Sequence, residues 1–256
     1  MIRSLLIRGM IAGFVAGLLG FGFAKLVAEP FVARAIAFEE THAHAHDHEH
    51  HEGAAHSHDH DSDEELVSRD TQAGLGLFTG VAVFGTALGG IFSLVFAFAY
   101  GRLGALHARG TSALLAMLGF LSVVVVPFLK YPPNPPAVGN AATIGPRTAL
   151  FFGMLTVSIV AAVIAVALQR RLRARRGEWN ATMIAGAFYV ASMLLAQYAT
   201  PPVDEVPADF SASLLWNFRV AAIGIQVIIW TTLGLVFGAL AARELEPPAL
   251  RKMANV

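Results

Sequence analysis

The sequence predicts an all-α protein, a polytopic transmembrane helical bundle of about six spans, and three observations carry that reading. Apolar residues make up 55% of the 256, with a mean hydropathy of +0.60. Only 14% are charged, against roughly 25% in soluble domains, too few to cover a soluble core of this size. The apolar residues also come in blocks of about 18 or more, long enough to cross a hydrocarbon layer of about 30 Å as helices. A soluble bundle would need polar faces that stretches such as GLLGFGFA and VVVVPFL lack.

The expected spans are residues 5–28, 73–100, 112–129, 148–169, 181–199 and 214–241, in a single membrane domain over 1–256. Arg3 and Arg8 before an apolar run resemble a signal peptide, and Ala33-Arg34-Ala35 offers a small-x-small site. The run exceeds the usual ~7–15 residues of a signal core, so it reads as a retained first helix. Gly9, Gly13 and Gly17 in the first span, and the pairs Gly76 with Gly80 and Gly85 with Gly89 in the second, are spaced four apart. Small residues so spaced let transmembrane backbones approach closely. At the end of the first span Lys25 and Glu29 are placed to pair across one turn, and Pro30 should limit the helix.

Positive charge predicts sidedness. Arg3, Arg8, Arg102, Arg109, the cluster Arg170, Arg171, Arg173, Arg175 and Arg176, and Arg243, Arg251 and Lys252 fall on one side, 12 of the 18 basic residues. Of the 18 acidic residues, 15 fall on the other side. Both termini are therefore expected in the cytoplasm, and the loop 29–72 outside it.

That loop holds 12 acidic and two basic residues, together with nine of the ten histidines: His42, His44, His46, His48, His50, His51, His56, His58 and His60. Imidazole suits cobalt, nickel, copper and zinc, and the interleaved carboxylates supply oxygen donors. Small and polar residues bury little, so 41–65 reads as a flexible His/Asp/Glu-rich segment that binds such metals with little selectivity; otherwise it is a solvated linker. Glu39 and Glu40 just before the run, and Glu29 at its stem, are the carboxylates a gathered cation would meet next. The segment lacks H-E-x-x-H, the chain has no nucleotide-binding glycine loop, and cysteine is absent, so neither a zinc peptidase, an ATPase nor a cysteine metal site is expected. Zero formal net charge argues against nucleic-acid binding. No enzymatic activity and no built-in cofactor are expected.

Two further stretches hold polar groups at span boundaries. Residues 130–148 carry five prolines, four of them forming a stiff extended run, either a cap or entrance to the bundle or a rigid turn. In the last span Trp216 suits a membrane interface, with Asn217 and Arg219 just behind it. Arg219 should seek a partner such as Glu29, Asp209 or a stem glutamate. Gln197 and Gln226 read as helix–helix hydrogen-bonding groups.

Three stretches, GFAKLVAEPFVARAIAFEE, PFLKYPPNPPAVGNAATIGPRT and LLWNFRVAAIGIQVIIW, together with the six-span layout, resemble the CbtA family of cobalt transporter subunits. The resemblance implies a multi-pass protein of the cytoplasmic membrane linked to cobalt supply for cobalamin synthesis, and a small one-helix partner, CbtB. It transfers no ligand set, but Glu29, Pro30, Glu39, Glu40, Asn134, Pro135, Pro136, Arg147, Trp216, Asn217 and Arg219 lie in the recurring stretches. The metal-ligand candidates are the nine histidines with Glu39, Glu40 and Glu29. Asn134, Pro135, Pro136, Arg147, Trp216, Asn217 and Arg219 are structural or gating candidates. The expected function is transport, inward, of a divalent transition metal, cobalt before nickel or zinc. The alternative is a non-transporting membrane sensor or metal-delivery protein.

Overall fold

The computed structural model describes residues 1–49 and 68–246, with the backbone alone for 42–49 and for residue 70. Among the described residues there are helices and no strands: α1 (Ile2–Phe23), α2 (Glu29–Glu49), α3 (Arg69–Thr71), α4 (Leu77–Ala99), α5 (Ala108–Gly119), α6 (Val126–Lys130), α7 (Ile144–Ala199) and α8 (Ala212–Leu245). Wider π-helical turns join α1 to α2 (Ala24–Ala28), α3 to α4 (Gln72–Gly76) and α5 to α6 (Phe120–Val125). Five helical stretches among them are long and apolar enough to cross a membrane, Ile2–Thr41, Gln72–Ala99, Ala108–Lys130, Ala141–Ala199 and Ala212–Leu245. Large apolar side chains such as Leu26, Phe98 and Leu195 are exposed at 80%, 74% and 68%, as lipid-facing residues require and a water-facing surface would not tolerate.

The prolines explain two of the π-helical turns. Proline donates no backbone hydrogen bond, and its ring crowds the carbonyl four residues earlier. Pro30 and Pro127 each stand two residues beyond such a turn, where the widened backbone relieves the crowding. Pro30 therefore does not limit the helix as expected, and α1 runs on into α2. The described helix also continues through Glu49, into the segment read as flexible.

The chain divides into two compact units, Met1–Ala113 with Asn134–Val138 and Pro207–Val256, and Leu114–Pro133 with Gly139–Val206. In the first, α1 packs most extensively on α4 and next on α8. The α1–α4 seam is glycine on glycine: a Cβ built at Gly9, Gly13, Gly85 or Gly89 would strike backbone of the facing helix. Phe92 and Phe96 of α4 meet Phe237 of α8 edge-on at 5.5 and 5.0 Å. Ser112 donates to the Gly234 carbonyl at 2.7 Å, and buried Glu246 accepts the N–H of Ala108 at 2.6 Å, capping the start of α5.

The second unit is built on a hairpin within α7. Gly177 adopts φ 76°, ψ 166°, a conformation only glycine takes without strain. On a straight helix Ser158 and Tyr189, 31 residues apart, would be about 46 Å from each other; their hydroxyls lie 2.9 Å apart. The legs 144–176 and 178–199 thus fold back on each other and carry the expected fourth and fifth spans. The arginine cluster is not a loop but the end of the first leg, since arginine, leucine and alanine all favour helix. Val126, Ala161 and Met193 form the buried core of this unit, with Tyr189 against it.

Candidate functional site

Glu29 lies in a cleft of about 550 Å³ lined by α2, α4 and α8 and by the π-helical turn Gln72–Gly76. The polar side chains on its wall are Glu29, Arg69, Gln72 and Gln226; Val32, Leu77, Phe84, Ile225 and Ile229 supply apolar ones. The expected Lys25–Glu29 pair does not form. A π-helical turn has more residues per turn than an α-helix, so residues four apart no longer stack. Lys25 donates instead to the Ala73 carbonyl at 3.1 Å, and Glu29 accepts a short charge-assisted hydrogen bond from Arg69. The Glu29 side chain is 18% exposed and that of Arg69 35%.

Glu39 and Glu40 are exposed on α2. Ten residues of helix put Glu39 about 15 Å above Glu29 along the axis, so the stem carboxylates form a ladder rather than a cluster. Glu40, three turns above Glu29, falls within about 20° of it around the helix. Nearby, Phe38 packs edge-on against Phe210 at 5.1 Å. The backbone positions of His42, His44, His46 and His48 lie on α2, while His50, His51, His56, His58 and His60 lie outside the described residues. Among the described residues no three histidine or carboxylate side chains converge on one metal-sized site.

The proline-rich stretch has two anchored ends. Arg219 donates to Asn134 Oδ1 at 2.8 Å, tying α8 to the stretch, and the Glu29 proposed as its partner is taken by Arg69. Pro135 is buried, Pro136 half-buried, and the Val138 N–H donates to the Pro135 carbonyl at 3.2 Å. In the other unit Arg147 donates to the Asn140 carbonyl at 3.1 Å and lies 3.4 Å from the Glu205 carboxylate. Gly139, at φ 124°, leaves room for the Arg147 guanidinium, which a Cβ would strike. The Asn140 N–H, the Thr143 hydroxyl and Arg147 together hold the Glu205 carboxyl below its ordinary range. This network braces a connection and offers a cation no open carboxylate. Trp216 and Asn217 are exposed, consistent with an interface position for the tryptophan.

Sequence reasoning did not find Arg69. Its signal was available: with Arg34 it is one of two basic residues in a strongly acidic loop, and it stands at the start of a span.

Among the described residues, helices without strands and five stretches long and apolar enough to cross a membrane define a multi-pass membrane protein. The family model described as probable cobalt transporter subunit (CbtA) matches residues 2–242, nearly the whole chain, and the chain belongs to this family. No curated protein and no solved structure matches it.

Proposed function

We propose that the chain carries a divalent transition metal, cobalt first, inward across the cytoplasmic membrane as part of a transporter. The observation that carries this reading is the ordering of donors along one continuous helix. The positions of His42, His44, His46 and His48 lie on α2, which then presents Glu40, Glu39 and finally Glu29 in the cleft. Family membership supports a cobalt cargo and a partner subunit, and a one-helix CbtB-like chain suits that role. The arginine distribution supports cytoplasmic termini and a histidine segment outside. The segment gathers cobalt, nickel or zinc without strong preference; the helical body and partner select. With no nucleotide-binding loop in the sequence, the energy comes from a gradient or a partner.

The competing reading is a membrane sensor or delivery protein that hands nickel, cobalt or zinc to a partner without conducting it. Radiolabelled cobalt uptake by cells expressing the chain, with and without a one-helix partner and with competing nickel and zinc, separates the two. Uptake in neither case overturns transport. Deleting 41–65 should raise the cobalt concentration for half-maximal uptake without abolishing it. Unchanged uptake in Glu39→Gln/Glu40→Gln removes those carboxylates from the route.

A further inference from the structure

The cleft around Glu29 already holds a cation, and that cation belongs to the protein. Glu29 brings one carboxylate, Arg69 brings one guanidinium from a helix 40 residues along the chain, and the two are hydrogen-bonded. The remaining polar groups on the wall are the amides of Gln72 and Gln226. Lys25 is directed away, to the Ala73 carbonyl. Resting on the cation-uptake reading above, we propose that this cleft is the first station for the ion within the helical body and that Arg69 is its resident competitor, a tethered guanidinium that holds Glu29 until a divalent cation displaces it.

Three observations support the assignment. The first is electrostatic. A lone carboxylate among Val32, Leu77, Phe84, Ile225 and Ile229 would be left uncompensated in the empty state, at a cost the guanidinium removes. The second is local structure. Arg69 stands on α3, a single turn of three residues, and the backbone widens at once into the π-helical turn Gln72–Gly76. Such a start is held by few helical hydrogen bonds and can open without disturbing α4. The third is donor chemistry. Released from Arg69, Glu29 offers carboxylate oxygen, and Gln72 and Gln226 line the same cleft, a polar setting for a partly hydrated divalent ion.

The pair also sets a charge threshold. Coulomb attraction to Glu29 scales with the charge of the visitor. Any ion that replaces the guanidinium sheds part of its water, a divalent one at the greater cost, but a monovalent ion gains only the unit-charge attraction that the guanidinium already supplies. A divalent ion doubles the attraction. Arg69 therefore excludes sodium and potassium while admitting the cargo, making it a specificity-determining residue rather than a ligand.

The test uses the full chain in vesicles, with Glu29→Gln, Arg69→Gln, Arg69→Lys and the double variant Glu29→Gln/Arg69→Gln. Hydrogen exchange over residues 69–76, measured with and without cobalt ions, should rise with cobalt in the wild type. In Glu29→Gln it should be high from the start and indifferent to cobalt, although every histidine remains. In uptake, Arg69→Gln should become sensitive to potassium, with the half-inhibiting concentration falling about tenfold, and Arg69→Lys should behave as wild type. A wild-type exchange rate that ignores cobalt overturns the proposal, and so does a cobalt response retained in Glu29→Gln, which would place its origin in the histidine segment. Recovery of both wild-type melting and potassium-resistant uptake in the double variant would also overturn it, since a dispensable brace behaves that way. If the wild type transports no cobalt yet shows the exchange response, transport fails and the cleft stands.

Discussion

Gly89→Ala tests whether the α1–α4 seam is as tight as its geometry implies. The added Cβ would lie 2.8 Å from Gly13 Cα and 2.9 Å from Gly13 N, and closer still to the Gly9 carbonyl oxygen. Moving Gly13 Cα out to the 3.4 Å of ordinary contact alone needs 0.6 Å. No flexible side chain can yield, because every atom struck is backbone. A gap of about 0.5–1 Å forfeits a quarter to a half of each contact's attraction along the seam, and forced overpacking typically costs about 1–3 kcal/mol. Alanine's better helix propensity returns at most about 1 kcal/mol. A net loss of about 2 kcal/mol corresponds to a fall of roughly 4–8 °C in melting temperature for a chain of this size. The control is Gly22→Ala in α1, where a Cβ meets nothing within 4 Å. Its melting point should hold or rise slightly. Melting of both variants in mild detergent, followed by loss of the monodisperse elution peak, makes the comparison. If Gly89→Ala melts with Gly22→Ala, the close approach of α1 and α4 is wrong.

Two further perturbations probe the ends of the helices. Glu246→Ala removes the carboxylate that caps Ala108 at 2.6 Å; loss of such a cap should cost about 1–2 kcal/mol, read as lower melting and faster hydrogen exchange at 108–111. Glu205 has a depressed pKa, set first by the Asn140 N–H, then by Thr143 and Arg147. Its contribution is therefore fully present above the ordinary value of 4.5 and lost as pH falls through the depressed one. Protease cleavage within 139–147 should accelerate on acidification below that value and lose this pH dependence in Glu205→Gln; an identical pH profile in the variant would remove Glu205 from the brace.

Much of the fold was legible because transmembrane segments announce themselves one residue at a time. The apolar blocks, the glycine spacing of α1 and α4 and the interface tryptophan each follow from local composition. The structure bears out the helices and a seam of Gly9, Gly13, Gly17, Gly85 and Gly89, whereas Gly76 and Gly80, expected to pack as well, meet no atom of a facing helix within 4 Å. Pro30 was read as limiting its helix and Pro127 was not read as a disturbance at all, because a π-helical turn that absorbs a proline is a backbone response with no residue signature of its own. The site was less legible. Glu29 was singled out, but its partner was assigned to Lys25 four residues away or Arg219 far along the chain. Arg69 wins because the turn Ala24–Ala28 rotates Lys25 out of register and α3 brings a guanidinium in from another helix.

Sequence alone determined that this chain lives in a bilayer, that it is helical throughout its apolar segments, and that nine of its ten histidines are concentrated beside one span. Those conclusions depend on transfer free energies and local spacing, which are properties of the residues themselves. Tertiary structure decided which charges meet: Arg69 with Glu29, Arg219 with Asn134, Arg147 with Glu205. It also placed the fold-back of α7 at Gly177. Pairing a charge in a membrane protein is settled by which helices pack side by side, and that depends on backbone shape and steric fit across dozens of residues rather than on any short stretch of the chain.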